Sequence, residues 1–198
     1  MSKKFNIYEI KHNSITPQKG RVLIAEPFLS GFYFKRSIIL LVEHNKEGSM
    51  GFVLNKKINY KLNDITKGFP RFNSNVFLGG PVGTNQLFYI HRLGALLPDS
   101  IQINDNLYFG GDFNTLCHLI KNEREVIHSK DIRFFIGYSG WSAGQLENEI
   151  KRDSWMISPL NFDIPMQQNE PNIWEKYMES LGKKYRLWTR YPVNPNLN

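Results

Sequence analysis

One cysteine among 198 residues, Cys117, excludes an intrachain disulfide and supplies too little thiolate for a structural zinc site, as in a reducing compartment. No apolar run reaches the ~20 residues a membrane-spanning helix needs. The start, Met-Ser-Lys-Lys-Phe-Asn-Ile-Tyr-Glu, lacks the apolar stretch of a signal peptide. A cytoplasmic location with no membrane contact is the expectation. The five histidines show no paired spacing such as His-x-x-x-His, so no metal site is predicted. Walker and dinucleotide-binding patterns are missing too, and no cofactor is expected.

What is present is an ordinary globular composition, 41% hydrophobic and 22% charged. It suits one domain over residues 1–198, with 1–20 as a polar lead-in and 190–198 as an extended, proline-bearing tail. The net charge of +7 would favour phosphate backbones through counterion release. The lysines and arginines are scattered, however, and no helix-turn-helix, zinc-finger or RNA-binding signature accompanies them. No specific nucleic-acid binding is predicted.

Residues 21–26 and 37–43 read as strands. The second is apolar throughout, which places it inside a sheet covered on both faces. Turn chemistry over 43–51 leads to a strand at 51–55, making a hairpin with His44 at its rim. A short helix is predicted at 60–67, then over 76–82 a strand running into a glycine-rich turn at Gly79-Gly80-Pro81, and strands at 86–92, 101–104 and 107–111. Asp112 is a good N-cap for a helix to about residue 121, with Phe113, Leu116 and Ile120 facing inward and Cys117 beside them as a buried thiol. A short strand at 155–158 and a helix at 171–182, opened by Pro171 and closed by Gly182, complete the pattern.

The rest is organised around residues 133–147, Arg-Phe-Phe-Ile-Gly-Tyr-Ser-Gly-Trp-Ser-Ala-Gly-Gln-Leu-Glu. This reads as a buried strand ending near Ile136, a glycine-rich loop over 137–144 and then a helix, a junction that aims free backbone N–H groups outward. Gly140-Trp-Ser-Ala-Gly144 formally satisfies the Gly-x-Ser-x-Gly elbow of hydrolases. All five histidines precede Ser142, though, against the order that fold uses. Ser142 and Gln145 instead fit a capping box, with serine capping a helix N–H and glutamine reaching back.

Several blocks in this order, Ser37-Ile-Ile-Leu-Leu-Val-Glu-His44, Gly48-Ser-Met-Gly-Phe-Val-Leu-Asn55, Gly79-Gly-Pro-Val82, His91 and Gly137-Tyr-Ser-Gly-Trp-Ser-Ala-Gly-Gln-Leu-Glu147, resemble the YqgE/AlgH family of bacterial proteins. The resemblance spans most of residues 21–155. It implies an α/β fold with a mixed β-sheet core, flanking helices and a smaller α/β plait-like portion. It also implies a bacterial cytoplasmic setting. Members are described as transcriptional regulators through one member's link to alginate production, with no generally assigned substrate or catalytic residue. Members often carry glycine at the Ser142 position.

Two function classes follow. One is a regulatory protein that binds a small molecule or a partner's segment in a cleft where Gly79-Gly80-Pro81 meets 137–141. The other is an enzyme using histidine and carboxylate groups there. The candidate binding residues are His44, Asn55, Gly79, Gly80, Pro81, His91, Tyr138, Ser139, Gly140, Trp141 and Gln145. Tyr138 and Trp141 are expected as apolar walls, with His44 and His91 at the rim. The plainer reading, with Trp141 as a core plug and the glycines as chain turns, stands beside this one.

Overall fold

The computed structural model describes residues 13–123, 126–160, 164–167 and 172–191. Its strands, in chain order, are β1 (Arg21–Ala25), β2 (Ile38–Asn45), β3 (Gly48–Val53), β4 (Lys57–Lys61), β5 (Asn75–Leu78), β6 (Val82–His91), β7 (Ser100–Asn104), β8 (Leu107–Gly110), β9 (Ile132–Ser142) and β10 (Trp155–Pro159). The helices are α1 (Leu62–Ile65), α2 (Phe113–Asn122), α3 (Gln145–Lys151), α4 (Ile173–Ser180) and α5 (Lys183–Arg186). The strands run β10-β1-β2-β3-β9-β6-β8-β7 across a curled, largely antiparallel sheet. β5 pairs β4 and lies parallel to β9. This is a mixed α/β fold with helices on its faces.

β9 is the strand both halves of the sheet share. Its first part pairs with β6 on one edge and β5 on the other, and its last four residues pair with β3. Three apolar clusters stack around this frame. Ile38, Leu40 and Val42 of β2 join Phe52, Phe135 and the α4 residues Trp174 and Tyr177 between the two halves. Ile39 and Leu41 face the opposite way, onto Trp141, Leu146, Ile150 and Trp155 under α3. The third cluster, with Val76, Phe134, Leu116 and Ile120, lies beneath α1 and α2. A strand clad on both faces must be apolar at every position, which is why β2 shows no alternation. Replacing Ile39, 0% exposed, by Asp is expected to cost several kcal/mol, since the new charge has no partner. Chemical denaturation checks this, and an unchanged midpoint would remove β2 from the interior.

Local sequence placed several elements well. Asp112 caps α2, accepting the Thr115 N–H at 2.7 Å. Phe113 departs from the inward stripe and stays 45% exposed. The helix expected at 60–67 shortens to Leu62–Ile65, because β4 runs to Lys61 before α1 begins. The single helix expected at 171–182 is α4, broken at Gly182 and resumed as α5 and a 3-10 turn over Leu187–Arg190. Pro171, the lead-in through residue 12 and the tail from residue 192 lie outside the described residues.

The main correction concerns residues 137–144. They are not a loop: β9 continues to Ser142, and only two residues precede α3. The presumed 43–51 turn is likewise mostly strand, with β2 and β3 joined at Lys46 and Glu47. The strand expected to run into a glycine-rich turn does so: β5 ends at Leu78, and Gly79-Gly80-Pro81 is the bend into β6.

Candidate functional site

Gly79 and Gly80 do meet Gly137 and Tyr138, but as backbone against backbone. A Cβ on Gly79 would lie 2.1 Å from the Gly137 carbonyl oxygen, and one on Gly80 would lie 2.3 Å from the Tyr138 carbonyl. The crossing is sewn by hydrogen bonds: Gly79 N–H donates to Ile136 O at 2.8 Å, Val53 N–H to Gly79 O at 2.9 Å, and the buried Ser139 hydroxyl to the same oxygen at 3.0 Å. Gly137 takes a left-handed φ of 68° between the Gly80 and Val82 carbonyls. These glycines therefore serve close chain packing, and Ser139 is spent on it. Pro81 is exposed at the bend.

A groove of about 420 Å³ opens beside the crossing, on the sheet face that carries Tyr138. Glu43, Asn45 and Glu47 form one side, Val82, Tyr138 and Gly140 the other, with Met50 between. Tyr138 is braced edge-on by Phe88 at 5.5 Å, and Val82 is 40% exposed. Glu43 accepts the Asn45 amide at 2.8 Å, and Asn45 accepts the Glu47 N–H at 2.8 Å. Among the described residues neither carboxylate has a cation within salt-bridge distance. The groove is thus apolar at its base and negative at its rim, on a chain of net charge +7.

Trp141 borders this groove only at the backbone. Alternation along β9 sends its indole to the other face, where it is 6% exposed in the cluster under α3. It is the core plug, and the expectation of an indole wall is overturned. Its N–H donates to Glu149 Oε2 at 2.8 Å, and the Trp155 N–H donates to the same oxygen at 2.8 Å. Gln145 Nε2 donates to the other oxygen at 2.9 Å. Glu149 so anchors α3 to the sheet. Gln145 also accepts the Ser142 N–H at 3.0 Å, as a capping box requires. Ser142 itself caps nothing: it ends β9, and Gly144 at φ 73° is the N-cap.

His44 lies on the α3 face as well. Its Nδ1 is 2.8 Å from the Ser49 hydroxyl, and its Nε2 is 3.7 Å from Glu147 Oε1. Asn55 is a clip, accepting the Ile38 N–H at 3.0 Å and donating to the Arg36 carbonyl at 2.8 Å.

His91 is not at the rim. It pairs with Ile132, six residues along β9 from Tyr138, or roughly 20 Å at strand rise. The ring is fully buried against Tyr108. Its Nδ1 accepts the Leu93 N–H at 3.2 Å and its Nε2 lies 2.9 Å from the Gly110 carbonyl, so the neutral Nε2–H form fits both. Burial pushes its pKa down to about 4. A depressed histidine contributes stability that is intact above the ordinary pKa near 6.5 and is lost as pH falls towards 4, here roughly 3 kcal/mol. Urea midpoints at pH 7 and pH 5 should therefore differ less in His91→Gln than in the wild type. Equal differences would remove His91 from the acid response.

Sequence reasoning thus missed Asn45, Glu47, Met50 and Val82 in the groove, and Glu149 beneath it. The available signal was the carboxylate and amide at 43 and 45, which a strand places on one face.

The groove is walled by sheet residues, and no gathering of His, Cys, Asp or Glu that could hold a metal occurs among the described residues. The AlgH-like family model matches residues 22–186, and the chain belongs to that family. It is 48% identical to a UPF0301 protein of Parabacteroides distasonis over 195 residues, 98% of each chain. It is 41% identical to one of Bacteroides fragilis, covering 98% of this chain and 97% of that relative. Among solved structures, it resembles protein DIP2367 of Corynebacterium diphtheriae with a TM-score of 0.71 at 20% identity, covering 93% of this chain and 97% of that one. It resembles the AlgH protein of Pseudomonas aeruginosa with a TM-score of 0.68 at 25% identity, covering 92% and 98%. No helix among the described residues is long and apolar enough to cross a membrane.

Proposed function

We propose that this chain is a cytoplasmic regulatory protein that binds a ligand or a partner's segment in the groove between the β2–β3 hairpin and Tyr138. The supporting observation is the groove itself, an open concavity with an apolar base and two carboxylates that pair with no described cation. A thermal-shift screen of metabolites, nucleotides and peptides tests it, because saturating binding at about 100-fold above Kd adds ~2.7 kcal/mol. Val82→Arg fills the groove from an exposed position and should abolish the shift. A shift that survives Val82→Arg would place binding elsewhere. Scattered positive charge supports only weak, salt-sensitive contact with nucleic acid, which a gel-shift titration against random competitor checks.

The alternative class, an enzyme using histidine and carboxylate groups in the same cleft, has its nearest such groups on the opposite, α3 face of the sheet, in the Ser49–His44–Glu147 chain. That arrangement can take a proton from the Ser49 hydroxyl onto Nδ1 while Glu147 faces Nε2. It predicts fluorophosphonate labelling of Ser49 that His44→Ala removes. An unlabelled Ser49 disposes of it.

A further inference from the structure

The groove adjoins a strand edge that has lost its neighbour. β3 and β6 flank β9 on opposite edges, and pairing with β6 ends at Val82↔Tyr138. Beyond that point Ser139, Gly140, Trp141 and Ser142 pair with β3 alone among the described residues. The Trp141 carbonyl oxygen lies 2.2 Å from where a Gly48 Cβ would sit, so it faces β3. Backbone groups on neighbouring residues of a strand point to opposite edges. The Gly140 N–H and C=O therefore point to the edge that β6 has left. The Ser142 N–H, on the same parity, finds only the Gln145 side chain. Gly140 is exposed and has no side chain to keep another backbone away.

We infer that an extended, basic segment of a partner protein adds to β9 at Gly140 as a further strand. Its main chain pairs with the Gly140 N–H and C=O, and the cationic side chains on its groove-facing alternate residues lay their aliphatic stems on Tyr138 and Val82 and reach Glu43 and Glu47 with their charged ends. The inference rests on the groove reading and names the occupant. Main-chain pairing supplies affinity in strand addition, and side chains on alternate residues supply choice of partner. An open strand edge on a folded protein is otherwise a hazard that charge or covering elements remove. Here the two nearby carboxylates form no ion pair among the described residues, which disfavours acidic segments and attracts basic ones.

The test is a binding titration with the capped peptide Lys-Val-Lys-Val-Lys, its Glu-Val-Glu-Val-Glu counterpart, and the lysine peptide N-methylated at its central lysine, the residue that pairs with Gly140. The lysine peptide should bind saturably and lose roughly ten-fold in affinity from the Glu43→Gln, Glu47→Gln double variant, whose surface positions leave folding intact. It should also weaken between about 50 mM and about 200 mM salt. N-methylation, which removes a main-chain donor, should weaken it at least as much. Undiminished binding of the N-methylated peptide overturns strand addition. Equal binding of the glutamate peptide, or indifference to the double variant, overturns the basic partner. Absence of any peptide binding overturns the inference outright. A small-molecule shift lost in Val82→Arg would then still uphold the groove reading, and its absence would remove both.

Discussion

Gly79→Ala should lower stability by roughly 3–5 kcal/mol, among the largest losses from adding a single methyl group to this chain. The new Cβ would sit 2.1 Å from the Gly137 carbonyl oxygen and 2.8 Å from the Phe52 ring. Phe52 is fully buried and stacked on Phe135 at 4.7 Å, so it has nowhere to go. The carbonyl belongs to a paired strand, and moving it breaks the bond from Gly79 N–H to Ile136 together with the Ser139 clip. In a chain of this size 1 kcal/mol moves Tm by about 2–4 °C, so the shift should reach ~10 °C. Gly31→Ala is the control: nothing lies within 4 Å of its Cβ, and only about 1 kcal/mol of backbone strain from its φ of 101° is expected. Equal losses in the two variants would refute the crossing.

Arg133→Ala should cost a comparable 3–5 kcal/mol. The guanidinium is 2% exposed and lies 3.7 Å from the centre of the Phe77 ring. It donates to the Leu54 carbonyl, to Pro165 O at 2.8 Å and to Ile164 O at 3.3 Å. Burial pushes its pKa down to about 9, which leaves it charged at neutral pH. Truncation leaves three carbonyls without their donor and opens a cavity between β9 and the 164–166 turn. Arg133→Lys should recover only part of the loss, because an ammonium cannot fork between carbonyls on two chain segments. Denaturation midpoints of the three proteins decide it, and full recovery by lysine would reduce Arg133 to a generic cation.

The sequence revealed those features whose causes are local. The apolar run in β2, the Asp112 cap and the Gly182 break each follow from a few neighbouring residues. Gly137 and Gly140 misled for the opposite reason. Three glycines in eight residues look like a loop, yet Gly137 is required by a bend about 60 residues earlier in the chain, and no local pattern carries that requirement. His91 and Trp141 failed likewise: which face of a strand is buried depends on what covers it. The groove was legible only by half, because Tyr138 and Gly140 stood out by type whereas Glu43 and Glu47 looked like ordinary turn residues.

The shared grip of Trp141 and Trp155 on one carboxylate oxygen gives the molecule a built-in optical reporter. The two indoles meet edge to face at 6.1 Å, and both N–H groups end on Glu149, so their emission depends on the same charge. Trp174, with its N–H on the Ala25 carbonyl, and Trp188 lie in a different cluster beside the C-terminal helices. Trp141 follows Gly140 directly, so any molecule that straightens or twists the end of β9 tilts one member of the pair against the other. Occupancy of the groove can therefore be followed through the native fluorescence of the unlabelled protein, with Glu149→Gln as the variant that alters the signal at its source.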